Sequence, residues 1–300
     1  MRKFNVLFLV ILISFVARSQ DNSFLVYSFK GNVSVVENNT ESKAKIGKVL
    51  SSNTKIKVAA GSVLTFVCDQ AAMFTINKAG SYTLSQFKDS CVTNSSSVSA
   101  NYFRYVWNQM TSHGEGSPGS NRKAFMSTVG AVSRSVNNIW IDPRLDTVNY
   151  SSGEFPLSWK SYADADEFEF SLYKKADAKQ ADYKTTVKKL KISIPTFINN
   201  LKPGNTYYWT AAVKGEQNDE LKVLNVVSKE NYEALLNNLK NQGPAYESPA
   251  EQSYRIAFML EDAHFLSEAY QYYLKAATVA PDNALYRSTL MSFKKDYEIK

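Results

Sequence analysis

The chain has 300 residues, 44% hydrophobic and 21% charged, with a formal net charge of +7. This composition is globular rather than disordered or collagen-like, and the length allows about two or three domains of ordinary size. Arg2, Lys3 and Arg18 supply three of the positive charges and the rest form no dense block, which excludes a nucleic-acid footprint and leaves no nucleic-acid partner expected.

The first element is a targeting signal. Arg2 and Lys3 precede a nearly uninterrupted apolar run from Val6 to Ala17, and Ala17 and Ser19 place small residues where a signal peptidase needs them, so cleavage is expected before Gln20. The run of 12 residues reaches only about 18 Å as a helix. That is short of the roughly 30 Å hydrocarbon core, which argues against an anchor. Later stretches are no longer, so no membrane span is expected after cleavage, and the expected location is the periplasm or the cell surface.

From residue 24 to about 91 the pattern is that of short strands. Leu25, Tyr27 and Phe29 alternate, Val33 and Val35 follow Gly31, and Leu64, Phe66 and Cys68 repeat the period of two, with turns at Gly31, Gly47, Gly61-Ser62 and Lys78-Ala79-Gly80-Ser81. A small β-barrel or sandwich is expected. Cys68 and Cys91 are the two cysteines, and an even pair in an exported chain reads as a structural disulfide. Ser97 to Met110 has helical spacing, with Phe103, Val106, Trp107 and Met110 on one face. That stripe is expected to pack against the β-domain, and a Gly-rich linker containing His113 follows it.

The middle segment contains Phe155-Pro156-Leu157-Ser158-Trp159, Phe168-Glu169-Phe170-Ser171-Leu172-Tyr173 and Leu201-Lys202-Pro203-Gly204-Asn205-Thr206-Tyr207-Tyr208-Trp209. Strict alternation sets Tyr207, Trp209, Ala211 and Val213 on one face of a strand. Beyond Asp219 the period becomes helical. Tyr232, Leu235, Leu236 and Leu239 mark a short helix. Ser248, Pro249 and Glu251 then supply an N-cap, a first-turn proline and a capping-box partner for a helix reaching about Ala263. Further helices are expected over about 267–280 and 284–298.

Three resemblances follow from these residues. Gly31-x-Val33, Gly47-x-x-Leu50 and Ile56 leading into Gly61-Ser62 resemble the β-domain of the ferric-citrate-regulator family, which implies an extracytoplasmic module commonly without catalysis. Leu201-x-Pro203-Gly204-x-x-Tyr207, with Trp159 upstream, resembles a fibronectin type III domain. That likeness implies a seven-stranded sandwich with the Tyr207 hydroxyl tied to nearby backbone. Ala269, Tyr273, Ala276 and Pro281 resemble the second helix of a tetratricopeptide repeat running from Ala250 to Asn283, with Ser253 and His264 departing from its pattern. The implied fold class is a multidomain β plus α protein. It comprises a signal at 1–19, a β-domain with a trailing helix at 20–110, a linker at 111–135, a fibronectin-like sandwich at 136–216 and tetratricopeptide-like hairpins at 217–300.

If the helices stack as in that family, Tyr254, Phe258, Glu261 and Asp262 would face a peptide partner. The alternative is that the two aromatic residues pack on a neighbouring helix and the two acids are solvated. Catalytic material is sparse. Asp164, Asp166, Glu167 and Glu169 cluster in sequence, but alternation puts Glu167 and Glu169 on the solvent side of a strand that buries Phe168 and Phe170. No cofactor, metal site or catalytic residue is expected. The expected function is that of an exported non-enzymatic adaptor holding a protein partner in the cell envelope. The alternative is binding of cell-wall polysaccharide through the basic N-terminal module. N-terminal sequencing of the exported protein is expected to begin at Gln20, and an intact Met1 there would overturn the signal assignment.

Overall fold

The computed structural model describes residues 22–69, 72–91, 98–111, 138–243 and 246–299. The segment expected to be a signal, at 1–19, and His113 lie outside them. Strands β1 to β8 form one compact unit, and the helix at Val98–Thr111 with everything after it forms a second. No described helix is long and apolar enough to cross a membrane.

The first unit has β1 (Ser23–Lys30), β2 (Val33–Glu37), β3 (Thr40–Lys43), β4 (Val49–Ser51), β5 (Lys55–Val58), β6 (Val63–Cys68), β7 (Met73–Ile76) and β8 (Gly80–Thr83). They pair as two antiparallel sheets of order β4-β1-β6-β7 and β3-β2-β5-β8, neither of them closed. Val33, Val35, Ile56, Leu64 and Phe66, read from the sequence, meet in one core, but β1 contributes Phe24 and Val26 to it rather than the expected Leu25 and Tyr27, and a register shift between Val26 and Ser28 brings Phe29 against it. A 3-10 turn over Leu84–Ser90 sets Phe87 against Phe66, ring centroids 5.0 Å apart, and returns the chain to the core at Cys91. Cys68 and Cys91 lie at disulfide distance there, with Cα atoms 6.1 Å apart and both side chains fully buried.

The second unit begins with helix α1 (Val98–Thr111) and continues through β9 (Ile139–Trp140), β10 (Thr147–Tyr150), β11 (Pro156–Ser158), β12 (Lys160–Ser161), β13 (Phe168–Tyr173), β14 (Tyr183–Val187), β15 (Lys191–Ser193), β16 (Thr206–Val213) and β17 (Lys222–Val226). A five-stranded sheet of order β10-β17-β16-β13-β14 is antiparallel except for the β10–β17 pair, and β11–β15 and β12–β9 make two short ladders. Alternation is realised: Phe168, Phe170 and Leu172 of β13 and Tyr207, Trp209 and Ala211 of β16 are buried on one face. Trp159 is buried against Phe168, and the Tyr207 hydroxyl accepts the Lys202 backbone N–H at 2.8 Å. The last strand, β17, lies beyond the expected boundary at 216, because its Leu224 completes the buried face beside Tyr207.

Helices α2 (Lys229–Asn241), α3 (Pro249–Asp262), α4 (Leu266–Val279) and α5 (Ala284–Asp296) follow. The start of α3 is the expected capping box: Ser248 Oγ accepts the Glu251 N–H and Glu251 Oε2 accepts the Ser248 N–H. His264, in the turn after α3, takes a left-handed φ of 60° where glycine is usual.

Two expectations about packing are corrected. Helix α1 joins the C-terminal helices rather than serving as a trailing element of the first β-domain, because its buried Tyr105 stacks on Phe258 of α3 and its buried Tyr102 meets the same ring edge-on. The second β-module and the helices, expected as separate domains meeting at 216/217, fall in one compact unit. Replacing both Cys68 and Cys91 with serine is expected to lower the stability of the first unit by about 3 kcal/mol in the chain-entropy picture. Denaturant unfolding of oxidised wild type against the double variant measures it, and an unchanged midpoint would refute the pairing.

Candidate functional site

The residues expected to face a partner sit on α3, whose helical period brings Tyr254, Phe258 and Glu261 to one side. That side is covered by the chain itself. Tyr254, Phe258 and Glu261 are each at most 2% exposed, and Asp262 is half-buried at the helix end. Tyr105 of α1 lies 4.7 Å from Phe258 in a stacked arrangement, and its hydroxyl is 2.9 Å from that of Tyr254. The Tyr254 hydroxyl is in turn 3.0 Å from Thr289 Oγ1 on α5. Glu261 accepts hydrogen bonds from Tyr273 at 2.9 Å and from Tyr297 at 3.3 Å. An open peptide groove at Tyr254, Phe258 and Glu261 is therefore corrected to an internal joint, with Asp262 at its half-buried edge. The physical reason is that aromatic surface at helical spacing is buried most fully by another aromatic helix, and α1 supplies one.

A second joint ties the helices to the β-module. Glu268, near the start of α4, is 4% exposed, and its Oε1 accepts the backbone N–H groups of Ser151 at 2.7 Å and Ser152 at 2.9 Å. Ser267 Oγ donates to the Ser152 carbonyl at 2.7 Å. Gly153 allows this approach: its φ is +93°, and a Cβ there would stand 2.6 Å from Ser267 Oγ. Along edge strand β10, the Asn149 N–H donates to the His264 carbonyl at 2.9 Å, while its side-chain amide donates to the Ala263 carbonyl at 2.8 Å. At the far end Arg144 grips Asp142 with two hydrogen bonds, reaches Asp296 of α5 at 3.1 Å and lies over the Tyr297 ring.

A third buried charge organises the helical turn before α3. Arg255, fully buried, makes a bidentate pair with Glu247, both contacts 2.8 Å, and donates to the Leu239 carbonyl of α2 at 2.7 Å. Gly243 is required nearby, because a Cβ there would lie 2.2 Å from the guanidinium. Burial pushes the Glu247 carboxyl up, with Arg255 opposing it. Burial likewise raises the Glu268 carboxyl, opposed by the two serine amides. The Glu268 charge contributes to raising the hydroxyls of Tyr232 and Tyr150, after burial itself.

The acidic cluster is drawn apart. Asp164 and Asp166 are exposed, whereas Glu167 pairs with Lys214 at 2.7 Å and Glu169 with Lys184 at 2.6 Å. Among the described residues, no three His, Cys, Asp or Glu side chains converge in a cation-sized group. His264 contributes its backbone carbonyl to the β10 joint. Sequence reasoning missed Glu268, Arg255 and Asn149 as structural centres. The available signal was a charge beside the buried periodicity, Arg255 next to Ile256 and Glu268 next to Ala269, which requires a partner that periodicity cannot name. No protein-family model and no curated protein matches the chain.

The raised Glu268 carboxyl has a defined consequence for stability. Above the ordinary carboxyl value of 4.5 the unfolded chain has released this proton while the folded chain still holds it. The stability it confers therefore falls as pH rises, until the folded group also ionises. Glu268→Gln keeps an acceptor for the serine amides and cannot ionise. Unfolding midpoints followed from about pH 4 to about pH 7 are expected to fall less steeply in this variant, with the remaining slope of that sign coming from Glu247. Equal slopes in both proteins would show that folding does not raise the Glu268 carboxyl.

Proposed function

We propose that the chain is an exported, non-enzymatic adaptor that holds a protein partner in the cell envelope or at the surface. Its modules in this reading are of ferric-citrate-regulator, fibronectin type III and tetratricopeptide type. The observation that carries the proposal is the use made of buried charge in the second unit. Arg255, Glu261 and Glu268 each join separate elements through hydrogen bonds, Arg144 reaches Asp296 of α5 as an ion pair, and Lys222 clamps Asp146 and Glu220 beside the β10–β17 pair. Buried charges paired across elements in this way favour one arrangement of β-module and helices, which suits a platform that must present a surface in a fixed geometry.

With Tyr254 and Phe258 enclosed, the partner would be held on the outer surface of this platform. Among the described residues, Met291 on α5 and Tyr162 beside β12 are its most exposed large apolar side chains, at 71% and 73%. A photoreactive amino acid placed at each position in turn, in cells exporting the protein, is expected to yield a discrete adduct with a second polypeptide from at least one of them. Exported protein that gives no adduct at either position would overturn the reading.

A further inference from the structure

The five-stranded sheet has a second face, opposite the buried Phe170 and Trp209, and it is not a flat solvent surface. Loops 174–182 and 214–221 rise on either side of β13 and β16 and enclose a cleft of about 740 Å³. Both walls are braced. The Lys174 N–H donates to Asp182 Oδ2 at 2.8 Å and the two side chains form an ion pair at 2.9 Å. Opposite them, the Asn218 side-chain amide donates to the Ala211 carbonyl at 2.8 Å, and its oxygen accepts the Glu220 N–H at 3.0 Å. The cleft is thus preformed, and its size falls in the range of small-molecule sites, about 300–1,000 Å³.

The floor is polar. Ser171 of β13 stands opposite Thr210 of β16 in the strand register, at 6% and 4% exposure. Thr210 Oγ1 is buried and has no hydrogen-bond partner among the described residues. A hydroxyl enclosed beside a cleft without a partner is unfavourable, so its donor and acceptor capacity is directed to whatever enters. Around this pair stand the Glu169–Lys184 ion pair and, at the rim, Gln180, Glu216 and Tyr173. The charged lining residues are three acids and two lysines, close to balance, which disfavours a strongly anionic ligand. Hydroxyls, amides and carboxylates alternating around one tyrosine ring match a molecule that donates and accepts at many points and offers one apolar face.

We propose that this cleft binds a short neutral oligosaccharide, with the Thr210 and Ser171 hydroxyls meeting sugar hydroxyls on the floor and Glu169 accepting from them. The site is separate from the protein-partner surface and does not depend on it. It also assigns sugar binding to the second β-module instead of the basic N-terminal one.

The test uses the full chain, isotopically labelled and titrated in turn with maltotriose, cellotriose and triacetylchitotriose, with a sulfated trisaccharide as the anionic probe. At least one neutral sugar is expected to shift the resonances of Ser171, Tyr173 and Thr210. Thr210→Val, which keeps the shape and removes the hydroxyl, is expected to weaken that sugar about tenfold without lowering the unfolding temperature. Glu169→Gln serves as the second variant, expected to weaken binding while preserving the fold. The assignment is overturned if no neutral sugar binds, if only the sulfated probe does, or if both variants bind as the wild type does.

Discussion

The second unit depends on the meeting of one sheet edge with one helical corner. Strand β10 lies at the edge of the five-stranded sheet, where an exposed row of backbone groups would invite pairing with another chain. The corner between α3 and α4 covers it: His264 and Ala263 offer carbonyls to Asn149, and Glu268 offers a carboxylate oxygen to the amides of Ser151 and Ser152. The left-handed turn at His264 presents that carbonyl, and the positive φ of Gly153 lets Ser267 approach. These backbone conformations and the buried acid belong to one device.

Inside the helices, aromatic residues dominate over aliphatic ones. Tyr105, Tyr254, Phe258, Tyr273, Phe293 and Tyr297 are all buried, and the tyrosine hydroxyls pair with one another, with Thr289 or with Glu261. Tyrosine serves here because it buries nearly as much surface as phenylalanine while carrying a group that can satisfy a buried carboxylate. The same property draws α1 to this unit. An aliphatic helix face could pack on either β-sheets or helices, but Tyr105 finds both a stacking partner and a hydroxyl partner on α3.

The elements were largely legible in the residues. Alternation in Phe168 to Tyr173 and in Tyr207 to Val213 gave strands whose buried faces are those expected, and Ser248-Pro249-x-Glu251 located the start of α3 to the residue. The pairing of Cys68 with Cys91 was expected from there being two cysteines in a chain read as exported, and the two lie at disulfide distance. Three readings failed together: the boundary at 216, the placement of α1, and the open face at Tyr254, Phe258 and Glu261. Each concerned which buried face meets which. Periodicity marks a face as apolar and is silent about its cover, so an aromatic stripe on α3 reads the same whether a foreign peptide or the chain's own α1 lies against it.

The sequence by itself determined the local conformations, because capping, turn chemistry and the periods of two and 3.6 residues act within about a dozen positions. It also determined that charges such as Arg255 and Glu268, set beside buried stripes, would need partners. Only the tertiary structure decided the partners themselves: Glu247 and the Leu239 carbonyl for one, the amides of Ser151 and Ser152 for the other. Of these, the serine amides lie 116 and 117 positions away from Glu268. A contact over that separation is set by how whole elements pack, and the residues at its two ends carry no mark of each other.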